Sequence, residues 1–221
     1  MSIQDGWMND VAHVPTGWVQ LGAPDVFDGQ MWPKQIVHHV MQGYQSTMNT
    51  WANERPPRTK VAVHFTINRT GRIVQHMPIW NPGWHVGWQS WNLHSVGIEH
   101  EGFSVDPVVY GYDYLYSAAR PWPQAMVDAS VRVTKWVMEA IHYYDTSVVP
   151  GPDTIIGHSE TGQPDRVDDP GLLWVQTVKP QLLAAFTSQE TIDEAYRRGW
   201  RDGRNTALDE VLAAIGAIPR G

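Results

Sequence analysis

The chain has 221 residues, enough for one ordinary domain with some extra, and 42% of them are hydrophobic, so a packed core is available and wholesale disorder is a poor reading. A formal net charge of −7 without any basic block argues against a nucleic-acid partner. The absence of cysteine excludes disulfides and leaves any metal site to histidine, aspartate or glutamate.

Residues 1–33 are rich in Gly, Pro, Asp and aromatic residues without a period, and read as an irregular N-terminal arm. The opening stretch MSIQDGWMND has neither the basic nor the apolar segment of a secretory signal. No apolar run nears the roughly 18 residues needed to span a bilayer. The expectation is a chain made in the cytoplasm, without a membrane partner. KQIVHHV, residues 34–40, is a short buried strand by its apolar run and β-branched content. QSTMNTWANE, 45–54, reads as a short helix capped by Ser46 and stopped by Pro56 and Pro57.

KVAVHFTINRTGRIVQHMP, 60–78, alternates, with Val61, Val63, Phe65 and Ile67 on one side and Ala62, His64 and Thr66 on the other. With RTGR as its turn it is a β-hairpin. WNPGWHVGWQSW, 80–91, is a loop carrying four of the 12 tryptophans, either a wall for sugar or peptide or a cover for the sheet edge. SVGIEHEGF, 95–103, is another alternating strand. Residues 123–144 place apolar side chains at 126, 129, 133, 136, 137, 140, 141 and 144, which is helical spacing, and Pro123 suits a first turn. DTIIGH, 153–158, is a short strand; GLLWVQTVKPQLLAAF, 171–186, is helical, interrupted or restarted near Pro180. Residues 188–215 read as a last amphipathic helix with Thr187 and Glu190 as a capping box. Strands alternating with helices make the fold class α/β with a central mixed sheet flanked by helices. The expected divisions are the arm 1–33, a catalytic domain 34–186 and a C-terminal amphipathic helix in 187–221.

Candidate chemistry gathers at strand ends, where α/β sheets commonly open a crevice for ligands. His38 and His39 end one strand and His158 ends another; Asp168 and Asp169 follow His158 by ten and eleven residues, on a polar loop able to fold back. Two histidines and one carboxylate with an open fourth position form a catalytic zinc arrangement. Spacing alone leaves His38 against His39 and Asp168 against Asp169 as alternatives. It also leaves chance placement among 10 histidines as the plain rival.

Taken together and in order, IVHHVMQG, VAVHFTINRTGRIVQ, GWHVGW, NLHSVGIEHEG and IIGHSE…DDPG resemble the type-2 N-acetylmuramoyl-L-alanine amidases, which share a fold with the peptidoglycan recognition proteins. The resemblance runs from about Ile36 to Phe186. It implies zinc-dependent hydrolysis of the amide between the lactyl group of N-acetylmuramic acid and L-alanine in peptidoglycan, as in a phage endolysin or a bacterial autolysin acting on the wall after release. The implied metal ligands are His39, which precedes Gly43 by four, His158 of GHSE, and Asp169 immediately before Pro-Gly. Strand alternation agrees that only one of His38 and His39 faces such a site.

Glu99 stands where part of the family carries a glutamate that orients the attacking water and passes its proton to the leaving amine, with Glu101 as the backup. The family's lysine two residues before the third ligand is replaced by Val167, so neighbouring Arg166 becomes the candidate for stabilising the oxyanion, with His85 or backbone N–H groups as the alternative. Its tyrosine before the hairpin histidine is replaced by Val63. His85, Trp84, Trp88 and His64 are the implied substrate-binding residues. Two rivals remain, a non-catalytic peptidoglycan-binding module and a zinc peptidase cutting the stem peptide. Non-catalytic relatives usually lack a ligand, whereas all three can be assigned here.

Overall fold

The computed structural model describes residues 5–15, 31–46, 62–104, 121–164, 166 and 168–186. Within them six strands build one mixed sheet: β1 Ala12–His13, β2 Gln35–Val40, β3 Phe65–Ile67, β4 Ile73–Gln75, β5 Ser95–His100 and β6 Ile155–Gly157, in spatial order β1-β4-β3-β5-β2-β6. Only the β3–β4 hairpin is antiparallel; β1–β4, β3–β5, β5–β2 and β2–β6 run parallel. Its turn is tied by the Asn68 side-chain oxygen, which accepts the backbone N–H of both Thr70 and Arg72. The arm expected to be irregular contributes β1, an edge strand of two residues, too short to show a period in sequence.

The central strands β2 and β5 are buried on both faces, which is why their sequences carry apolar residues at odd and even positions alike. The register sets His38 opposite Ile98 and His39 opposite Glu99. Period-2 alternation then divides them: Ile36, His38 and Val40 share one face with Val96, Ile98 and His100, and Val37 and His39 share the other with Gly97 and Glu99.

Helix α2, Gln124–Tyr144, covers the first of these faces with a stripe that includes Met126, Val133, Val137 and Ile141. Two polar side chains of the helix meet the sheet's histidines. Ser130 Oγ lies 3.0 Å from His100 Nε2 and Thr134 Oγ1 lies 3.4 Å from His38 Nε2. His100 Nδ1 donates to the His39 carbonyl at 2.9 Å.

On the opposite face the tryptophan-rich segment 80–91 closes part of the sheet. Its end forms a one-turn helix, α1, Gln89–Asn92, where sequence suggested loop. Trp80 is buried and Trp91 packs on Val37, Val86 and Ile156; Trp84 is half-buried and Trp88 exposed.

After β6 the chain makes a 3₁₀ turn, His158–Thr161, and then returns through Asp169–Pro170 to the helical stretch expected over 171–186. That stretch contains a π-turn, Trp174–Val178, followed by α3, Lys179–Ala184. The Lys179 N–H reaches the Trp174 carbonyl, five residues back, just before Pro180, which has no N–H to continue the regular ladder. Lys179 Nζ also grips Glu160 at 2.6 Å, and Glu160 accepts the Gly157 N–H at 2.8 Å, fixing the strand end that leads into His158.

The chain divides into two compact units, Met1–Ala185 and Phe186–Gly221. The helix expected over 188–215 lies outside the described residues, as does most of the one expected over 45–54. No described helix is long and apolar enough to cross a membrane.

Candidate metal centre and active site

Two strand ends and a loop deliver the candidate ligands. His39 is the penultimate residue of β2 and His158 follows β6 directly. Asp169 comes from the loop beyond, which is held against the strand end by a backbone bond from Ser159 N–H to the Asp169 carbonyl at 2.6 Å. Gly157 makes this return possible. A Cβ there would lie 2.7 Å from Pro170 Cδ and 3.2 Å from the Trp174 ring, so any larger residue would push the aspartate loop away.

The donor atoms converge. His39 Nδ1 lies 3.0 Å from His158 Nδ1, and Asp169 Oδ2 lies 3.4 Å and 3.1 Å from these two nitrogens. Asp169 Oδ1 accepts the Val40 N–H at 2.7 Å, which orients the carboxylate. All three residues are buried. His38 points to the other face, against His100 and Trp174, and Asp168 is exposed, so neither joins the group.

The far nitrogens of both histidines face polar partners. His158 Nε2 faces the Gln163 side-chain oxygen at 2.6 Å and the Val86 carbonyl at 3.3 Å, so it carries the hydrogen. His39 Nε2 lies 3.0 Å from His85 Nδ1. When both Nε2 atoms carry the hydrogen, two imidazole lone pairs and a carboxylate oxygen point at one another. Atoms about 2.0–2.2 Å from a common tetrahedral centre sit roughly 3.3–3.5 Å apart, close to the spacing found here. The chemistry and spacing of the donor set therefore fit a zinc ion.

The electrostatics agree. Burial holds His39 below the usual imidazole value, partly opposed by Asp169, so the ring is neutral and able to ligate. Burial pushes the Asp169 carboxyl up, but the imidazoles of His158 and His39 beside it and the Val40 N–H outweigh that and hold it at about 2. Glu99 lies on the same sheet face. It is buried with Oε2 lacking a hydrogen-bond partner, and its carboxyl is pushed well above the usual range by burial first and then by the Asp169 charge. Arg166, exposed on the loop, lies within electrostatic reach and opposes that rise. Val167 lies outside the described residues.

The residues expected to bind substrate separate. His64 is fully buried; its Nδ1 accepts the Gly97 N–H at 2.9 Å and its Nε2 donates to the Asn81 carbonyl at 2.8 Å. Both ring nitrogens of His64 thus serve the backbone. His85 is also buried, wedged between His39 and Gly97, where a Cβ would come within 2.7 Å of its ring. Only Trp84 and Trp88 of this set keep ring surface open to solvent. Glu101 binds the Arg69 and Gln45 N–H groups at 2.9 Å and 3.3 Å and so braces the hairpin turn rather than the site. Sequence reasoning missed Gln163, Ser95 and Asn92, which act only through the folded geometry.

A family model described as N-acetylmuramoyl-L-alanine amidase matches residues 29–172. No curated protein matches the chain in sequence. Similar solved structures include a derivative of AmpD, at 19% identity and TM-score 0.54, covering 82% of this chain and 99% of that one. The amidase LysC from Clostridium intestinale URNW aligns at 14% identity and TM-score 0.51, over 79% of this chain and 98% of that one. The amidase AmiD from E. coli, solved with anhydro-N-acetylmuramic acid-L-Ala-D-gamma-Glu-L-Lys, aligns at 22% identity and TM-score 0.50, over 70% and 58%. At these identities the likenesses show the fold.

Proposed function

The chain belongs to the N-acetylmuramoyl-L-alanine amidase family, and from that premise we propose that it cuts the amide between the lactyl group of N-acetylmuramic acid and L-alanine in peptidoglycan, with zinc held by His39, His158 and Asp169. The observation that carries the reading is the convergence of two imidazole Nδ1 atoms and one carboxylate oxygen in a buried cluster. When bound, zinc supplies Lewis acidity toward the scissile carbonyl and makes water a nucleophile at neutral pH.

Glu99 takes the proton of the attacking water and returns it to the leaving amine of L-alanine. Its burial beside Asp169 favours the protonated form, while Arg166 and positive charge at the triad pull it back toward ionisation, which poises it for both duties. Arg166 contributes fixed positive charge toward the developing oxyanion; a guanidinium keeps its proton at neutral pH, so the role is electrostatic. Trp88 stands at the rim. Its neighbour Gly87 lies against Gln163, which in turn holds His158, so an aromatic face is offered beside the triad for a sugar or the peptide stem. The cellular role that fits is wall lysis of the endolysin kind.

The test is lysis of purified cell walls followed by turbidity. Chelation is expected to abolish lysis and added zinc to restore it. Full lysis by metal-free protein would overturn the proposal.

A further inference from the structure

We propose that His85 is a positioning residue that fixes the tautomer of His39. The inference rests on the metal reading above and concerns the device that turns the His39 lone pair toward the metal.

A chain of donors and acceptors leaves each ring one choice. Ser95 Oγ donates its hydrogen to the Trp91 carbonyl at 2.7 Å, so only lone pairs remain on that oxygen. His85 Nε2 faces this oxygen at 3.4 Å and the Ser95 carbonyl at 3.3 Å. Between two acceptors, Nε2 of His85 must carry the hydrogen, and its Nδ1 is an acceptor. His39 Nε2, 3.0 Å away, then donates, which leaves His39 Nδ1 bare and pointing at Asp169 and His158.

The His85 ring has little freedom to break this sequence. Gly97 packs against one side of it. The buried Asn92 side-chain oxygen accepts the N–H of both His85 and Val86 at 3.0 Å and 2.9 Å, pinning the backbone. A substrate role would need a free ring nitrogen, and neither is free. Without His85 the His39 ring loses its reason to keep hydrogen on Nε2. The other tautomer, donating from Nδ1 to Asp169, would occupy the lone pair a metal needs.

Two variants and one direct observation test this. His85→Asn keeps an acceptor near the position of Nδ1, whereas His85→Leu fills similar space without one. Zinc affinity by chelator competition is expected to fall about 10–100-fold in the leucine variant and to stay near wild type in the asparagine variant. The cobalt-substituted absorption spectrum should be perturbed only in the former. In metal-free wild-type protein, long-range proton–nitrogen NMR should show hydrogen on His39 Nε2; hydrogen on Nδ1 would overturn the inference whatever the variants do. Wild-type affinity in the leucine variant, or equal losses in both, would overturn it as well. A wild-type protein that binds no zinc would sink the metal reading itself, and this inference with it.

Discussion

Replacing Gly97 by alanine adds one methyl group at a point where its effect can be worked out. The new Cβ would stand 2.7 Å from His85 Cγ and 2.8 Å from His85 Nδ1. Ordinary contact needs about 3.4 Å or more, so the ring must move by roughly 0.7 Å. The 3.0 Å bond between His85 and His39 limits that movement; stretched by the same amount it passes out of hydrogen-bond range. Alanine gains up to about 1 kcal/mol by restricting the unfolded chain, and Gly97 sits in a strand where its backbone suits any residue. Overpacking a filled site costs about 1–3 kcal/mol, so strain wins by about 0.5–2 kcal/mol. The midpoint of thermal unfolding of metal-free protein should drop by roughly 1–8 °C for a domain of this size. Zinc affinity should fall as well, because His39 loses its orienting partner. An unchanged melting temperature together with unchanged zinc affinity would refute the packing of Gly97 on His85 and the part this contact plays at the site.

Glu99→Gln should leave the fold and zinc binding intact, with a stability equal to or above wild type at neutral pH because a buried carboxylate is gone. Its turnover on peptidoglycan should fall about 10²–10⁴-fold, and near-normal turnover would remove Glu99 from the chemistry. His39→Ala should lose zinc, whereas His38→Ala should keep it and lose about 2–4 kcal/mol of stability through a cavity beside His100 and Trp174; zinc analysis and denaturant titration of both proteins separate these outcomes. Burial lowers His64, His76 and His100 from 6.5 to about 4, so the fold prefers them neutral. Their stabilising contribution is complete above pH 6.5 and is lost as pH falls toward 4, at up to about 3 kcal/mol each. Metal-free protein should therefore destabilise steeply across that window, well before Asp169 titrates near 2. A denaturation free energy that stayed flat from pH 7 to pH 4 would contradict the burial assigned to these rings.

The α/β pattern, the hairpin and the long helix were legible because each leaves a period in the chain. The candidate ligand set was half legible. His158 stands alone at a strand end, but the pairs His38–His39 and Asp168–Asp169 differ by one residue, and composition does not separate them. Register does: β2 pairs with β5 so that His39 shares a face with Glu99 while His38 turns under α2. For the aspartates the Ser159–Asp169 backbone bond decides, a contact that no spacing encodes. His85 illustrates the limit. The resemblance implied a substrate-binding role for it, and only the folded chain brings it against Gly97, Ser95 and His39. The edge strand β1 and the one-turn helix α1 are too short for their patterns to rise above those of a loop.

The central claim is that this chain uses the His39–His158–Asp169 centre to cleave the bond between N-acetylmuramic acid and L-alanine. The most direct measurement is mass spectrometry of the soluble products from purified peptidoglycan digested by zinc-loaded protein and by the His158→Ala variant. The account predicts stem peptides with a free L-alanine amino terminus and glycan strands with intact lactyl carboxylates, from the zinc-loaded protein alone. Peptides cut within the stem, or the same products from the variant, would contradict it.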